Sequence, residues 1–248
     1  MTSFLVRFKK GNMQKSMIEG NTLKLILNFS IPLLLGNLFQ QFYNVVDAAI
    51  VGQTLGSKAL AAVGASSSVQ FLILGFCMGI CQGFAIMVSQ SFGAKRLDEM
   101  HTYIYAGAVW TAITAFVVSI LVVVFCADIL HILQVNDEIF KDAYAYLVVI
   151  FAGIPFTLLY NYLSAILRAI GDSKTPFFFL AFSAVLNIGL DFFCILVLKW
   201  GCAGAAIATI FAQAVSGILC LLLIALKVNV LHIPKSSRYV DKNHSIKL

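Results

Sequence analysis

Charge is what this chain has least of. Only 11% of its 248 residues are Asp, Glu, Lys or Arg, against 60% hydrophobic residues and a mean hydropathy of +0.94. That balance excludes an ordinary soluble protein. Acidic residues number 11 against 17 basic ones, a net +6, yet there is no basic, aromatic-interleaved surface segment to bind nucleic acid, and no nucleic-acid partner is expected. No C-x-x-C pair occurs among the six cysteines at 77, 81, 126, 194, 202 and 220, which fall in or beside apolar runs and read as small core residues. Cys77 and Cys81 share a helix face, but without nearby His or further Cys they cannot complete a tetrahedral metal site. No G-x-x-x-x-G-K-[ST] sequence is present to hold a nucleotide, so no cofactor is expected.

What is present in abundance is the long apolar run. Windows of about 20 apolar residues place six candidate spans at roughly 23–51, 59–81, 103–126, 143–167, 175–198 and 202–226. The expected fold is an all-α polytopic membrane protein, a six-transmembrane-helix bundle over 23–227. A cytoplasmic segment 1–22 precedes it and a basic cytoplasmic tail 228–248 follows. The second run continues without a charge to Ala94, and its C-Q-G at 81–83 suggests a break, with 82–92 as an interfacial piece.

Six spans return the chain to its starting side, and the basic residues divide accordingly. Fourteen of the 17, among them Lys24, Lys95, Arg96, Arg168, Lys174 and Lys227, fall on the N-terminal side, and only Lys58, Lys141 and Lys199 on the other. By the positive-inside rule both termini are expected in the cytoplasm, with the bundle in the plasma membrane. A cleaved signal peptide is not expected, because the first run is too long and carries Gln40, Gln41, Asn44 and Asp47.

Two acids interrupt the spans, Asp47 toward the outer end of the first and Asp191 about two-thirds along the fifth, at similar depth. An acid at a helix centre costs roughly 2.5–3.5 kcal/mol on insertion, so it normally faces protein or a water-filled cavity. Asn187 and Asp191 are spaced i to i+4, and Gln40, Tyr43, Asn44 and Asp47 follow i, i+3, i+4 and i+7, so each set shares one helix face. If the two stripes face each other, the carboxylates compete for protons, and a proton or a sodium ion becomes the natural guest. The competing reading, in which Asp47 caps or snorkels while Asn187 and Asp191 join helices by hydrogen bonds, stays open here. Thr209 and Gln213 repeat the i to i+4 spacing in span six, and Pro32 removes one backbone hydrogen bond from span one, giving either a static kink or a movable joint. G-C-A-G-A-A at 201–206 permits close packing of span six on a neighbour.

These segments assemble into a pattern that resembles the multidrug and toxic compound extrusion (MATE) transporters, in their amino-terminal lobe. It rests on I-P-L-L-L-G-N-L-F-Q-Q-F-Y-N-V-V-D at 31–47, V-G-Q-T-L-G-S-K-A-L-A-A-V-G at 51–64 and S-Q-S-F-G-A-K at 89–95. It continues with L-R-A-I-G-D-S-K-T-P at 167–176, L-N-I-G-L-D at 186–191 and G-A-A-I-A-T-I-F-A-Q at 204–213. The resemblance implies a cation site at Asp47, Asn187 and Asp191, joined by Thr209, with Tyr43 one turn before the first aspartate and Pro32 as the hinge. At the position where some members have a span-four asparagine this chain has Ser164, with Asn161 nearly one turn away.

The resemblance further implies a cation-coupled antiporter, driven by H⁺ or Na⁺, that exports small organic and in some cases cationic compounds by alternating access. It is not expected to be an enzyme. Family members resemble two six-helix lobes joined by a loop, so a second lobe or a second copy is expected to complete the cavity. The alternatives are a transport-inactive fragment or partner subunit, a lipid-linked oligosaccharide flippase, or an intramembrane aspartyl hydrolase. The last is disfavoured because Asp191 follows I-G-L rather than G-x-G.

Overall fold

The computed structural model describes residues 22–231, 233 and 234. The expected segment 1–22, except Thr22, and most of the expected tail lie outside these residues. The described chain is helical: α1 (Thr22–Leu55), α2 (Ser57–Gly93), α3 (Leu97–Val124), the short α4 (Cys126–Ile132), α5 (Asp137–Ala152), α6 (Ile154–Ala169), α7 (Lys174–Phe192) and α8 (Gly201–Lys227). One π-turn (Phe193–Val197) extends α7, and a 3₁₀ turn (Asn229–Leu231) follows α8.

Five helices are individually long and apolar enough to cross a membrane, and α5 with α6 makes a sixth, bent span. The bend of 49° has a covalent cause. Pro155 has no N–H for the carbonyl of Phe151 four residues earlier, and the Ser119 hydroxyl of α3 donates to that carbonyl instead, at 2.7 Å. Gly153 sits at the break because Ile210 of α8 occupies the space a side chain would need. The span expected over 143–167 is thus present but bent, built from two helices.

A second correction concerns 81–83. No break occurs there, and α2 runs unbroken through Cys81, Gln82 and Gly83. Glycine keeps its N–H and so preserves the helical ladder, which proline alone would interrupt. The expected interfacial piece is simply the last part of α2.

Tight connections follow from residue chemistry. Gly171, at φ +88°, closes α6 through Gly171 N–H to Arg168 O at 3.0 Å and Asp172 N–H to Leu167 O at 3.0 Å. Asp172 Oδ1 then accepts from the amides of Lys174 and Thr175 at 3.1 and 3.0 Å and opens α7. The L-R-A-I-G-D-S-K-T-P segment is thus a helix stop fused to a helix start. Gly204 brings α8 against the backbone of Cys194, only 3.3 Å from where a Cβ would stand, as the G-C-A-G-A-A run suggested.

The core lies among α2, α4, α5, α6 and α8, with Leu130, Leu147, Phe151, Ile154 and Leu167 fully buried. The six cysteines are buried and unpaired. Outward faces carry large apolar side chains such as Leu34, Phe42, Phe71, Phe116 and Val185, the surface expected of a bundle solvated by lipid. Helix α1 is the least enclosed; it lies along α7 and α2 with most of its surface outward.

Candidate cation site

Where α1, α7 and α8 meet, polar side chains from three helices converge in an otherwise apolar bundle. Asp191 is 0% exposed, Asn187 2% and Asp47 9%. Helical periodicity places Asn187 and Asp191 on one face of α7, and the packing of α1 on α7 turns that face to Asp47. The Asp47 and Asp191 carboxyls are direct neighbours, close enough to interact side chain to side chain. The Asn187 amide donates to Asp191 Oδ1 at 3.5 Å and to Thr209 Oγ1 of α8 at 3.3 Å.

The acceptors left over define the chemistry. Asp47 Oδ1, Asn187 Oδ1 and Asp191 Oδ2 are buried and receive no hydrogen bond. Two carboxylates and an amide oxygen with free lone pairs form a hard, oxygen-only donor set, suited to Na⁺ or to one proton shared between the acids. Adjacent buried like charges cannot both persist unneutralised, so either a proton resides on the pair or a cation lies between the acids. A small cavity of about 10 Å³ opens beside it, lined by Tyr43, Ser183, Asn187, Thr209 and Gln213, with room for about one water-sized guest. Gln213 Oε1 is another buried acceptor without a donor.

The remaining expected residues do not all gather at one place. Tyr43 and Gln213 stand at this cavity. Gln40, Asn161 and Pro32 line a separate groove toward the end of the bundle where α6 meets α7, and Asn161 donates back to Thr157 O of its own helix at 2.8 Å. Ser164 is buried with its hydroxyl unsatisfied and lines neither. Asn44 departs from the inward stripe: it is exposed and donates to Gln41, also exposed, at 3.3 Å. Four positions spaced over seven residues subtend too wide an arc for a helix that contacts its neighbours along a narrow seam. Pro32 lies inside a continuous α1.

Sequence reasoning missed Tyr146. It is a buried α5 tyrosine whose hydroxyl lies within electrostatic reach of Asp47, Tyr43 and Asp191. The signal was present, since a phenol in the apolar run A-Y-A-Y-L-V-V needs a polar neighbour, but the bend at Gly153 hid which way α5 faces. Ser183, one turn before Asn187, was likewise passed over.

Comparison with known proteins gives the same lineage. The family model described as MatE matches residues 32–193. The chain is 36% identical over 200 residues to the probable multidrug resistance protein YpnP of Bacillus subtilis (strain 168), covering 80% of this chain and 44% of that protein. It is 33% identical over 188 residues to the probable multidrug resistance protein YoeA of the same organism, covering 74% and 41%. Among solved structures, a multidrug resistance MATE family transporter of the MOP superfamily in its outward-facing conformation superposes with a TM-score of 0.87 at 23% identity, over 95% of this chain and 52% of that one. The chain thus spans about half the length of the proteins it matches. With a family match over most of its helices and the same bundle in three dimensions, this chain belongs to the MATE family of multidrug transporters.

Proposed function

We propose that the chain is the amino-terminal lobe of a cation-coupled multidrug antiporter, exporting small organic compounds by alternating access. Asp47, Asn187, Asp191 and Thr209 bind the coupling ion. The carrying observation is the buried meeting of the Asp47 and Asp191 carboxyls with acceptor oxygens left unpaired, an arrangement a structural hydrogen-bond network would have satisfied. A proton or Na⁺ arriving from outside neutralises the pair and favours an altered α1, pivoting near Pro32. That movement shifts the tyrosine and glutamine side chains at the neighbouring cavity. Tyr146 and Tyr43 hold hydroxyls near the acids and follow their charge.

The substrate cavity requires a second lobe or a second copy, and the exposed face of α1 supplies one wall of it. Both termini are cytoplasmic, in the plasma membrane, in keeping with the distribution of basic residues. The experiment is efflux from proteoliposomes containing this chain, under an imposed proton or sodium gradient, comparing the native sequence with Asp47→Asn. Coupled export is expected from the native chain alone. Equal gradient-driven export from the variant would sink the assignment of Asp47. Export from neither, with ion binding intact, would mean that the lobe needs its partner to move substrate.

A further inference from the structure

The second cavity, of about 50 Å³, lies between α1, α6 and the start of α7, at the end of the bundle carrying Arg168 and Lys174. Its chemistry is opposite to that of the cation site. Arg168 lines it, is only partly exposed, and its guanidinium makes no hydrogen bond or ion pair among the described residues. A guanidinium stays protonated, carries five donors and is costly to desolvate without a counter-charge. Its position in the last turn of α6 gives it favourable helix carbonyls, but these are not hydrogen-bonded to it. The nearest acid in sequence, Asp172, is committed through Oδ1 to the first amides of α7.

Among the described residues no acid lines the groove. The groove is also lined by Asn37, Gln40 and Asn161, and by Ser173 and Pro176 at the start of α7. The other wall is apolar, made by Leu33, Phe177 and Leu180. A basic, donor-rich end joined to an apolar wall fits an amphipathic anion. We propose that this groove binds the carboxylate or phosphate of an amphipathic molecule entering from the cytoplasmic side, with Arg168 as its charge partner and Asn37 and Gln40 as hydrogen-bond donors. The group belongs either to a soluble organic anion or to an inner-leaflet lipid. The site is separate from Asp47 and Asp191, and its occupancy does not depend on ion coupling.

The test uses the full chain in nanodiscs of phosphatidylcholine, without gradients. Binding of radiolabelled 1-naphthoate is compared with neutral 1-naphthamide and with empty discs, and retention of added phosphatidylglycerol is read by native mass spectrometry. One of the two anions is expected to bind saturably, naphthoate marking a soluble source and phosphatidylglycerol a lipid one. Arg168→Gln should weaken that binding at least tenfold, and Arg168→Lys by less. Because Arg168→Gln could disturb folding, Asn37→Asp serves as the second variant. It sets a carboxylate on the open side of the groove and should abolish anion binding in a chain that remains monodisperse. Neither anion binding above its control, or unchanged binding in both Arg168→Gln and Asn37→Asp, would overturn the proposal. So would dimerisation through this face that excludes both probes, since an acid of a second copy would then be the partner of Arg168.

Discussion

Asp47 of α1 and Asp191 of α7 place their carboxyls side by side within the bundle, each with one buried oxygen that no donor reaches. Burial of two unsatisfied acids is unfavourable unless a cation completes them. The pair, the elements that hold it and the orientation of the bundle each have measurable consequences.

In the proposed ion site Thr209 acts through Asn187. Its Oγ1 takes one hydrogen bond from the Asn187 amide and so fixes the carboxamide, whose own oxygen receives no hydrogen bond. Thr209→Val keeps the shape and removes the acceptor. A hydrogen bond of about 1 kcal/mol corresponds to roughly fivefold in affinity. Cation affinity should fall by about that factor, and Thr209→Ser should restore most of it, as measured by sodium or proton binding to the purified chain.

Ser119→Ala removes the donor that serves the Phe151 carbonyl beside Pro155. The expected loss is about 1 kcal/mol, between typical membrane hydrogen bonds and the penalty of an orphaned buried carbonyl. Unfolding in mixed micelles by added dodecyl sulfate measures it. A stability unchanged within error would mean that the Phe151 carbonyl needs no donor from Ser119.

Two glycines should behave in opposite ways. A Cβ on Gly107 would stand 2.7 Å from the Tyr162 hydroxyl and 2.9 Å from Phe84, and that hydroxyl already donates to Ile104 O at 2.6 Å. Gly107→Ala should cost about 1–3 kcal/mol by overpacking. Gly189, between Asn187 and Asp191 but on the outer face, has nothing within 4 Å of where an added methyl would stand, and Gly189→Ala should be neutral or slightly stabilising. The same micelle titration reads both.

Orientation is checked by labelling. With the six native cysteines buried, single cysteines at Lys95 and Lys174 should react with a membrane-impermeant maleimide only after the cytoplasmic face is opened. Cysteines at Lys58 and Lys199 should react from outside in intact cells. Lys58 forms an exposed pair with Glu138 at 2.7 Å, of the kind worth about 0–1 kcal/mol, so its replacement should leave the fold intact. The reverse labelling pattern would invert the sidedness assigned here.

The bundle was legible in the sequence because lipid imposes a strong rule: each span must close its own backbone hydrogen bonds over about 20 apolar residues. Asn187 and Asp191 were equally legible, since helical spacing is local and an acid in an apolar run is conspicuous. What could not be read was relative rotation. Asn44 shares a spacing pattern with Asp47 but turns outward, because only the packing of α1 on α7 decides which residues of a broad stripe are enclosed. Tyr146 and the bend at Gly153 escaped for a related reason, as the partner of the Phe151 carbonyl comes from α3, far away in sequence. The expected break at 81–83 failed because a glycine with open space around it puts no strain on a helix.

The most direct test is a double-mutant cycle on ion binding by the purified chain. It compares the native protein with Asp47→Asn, Asp191→Asn and the double variant, using sodium-22 binding and proton release on the same samples. If both carboxylates serve one cation, each single variant should lose most of the binding and the double variant little more, a strongly non-additive result. Independent, additive losses, or full cation binding in either single variant, would contradict a shared site between α1 and α7.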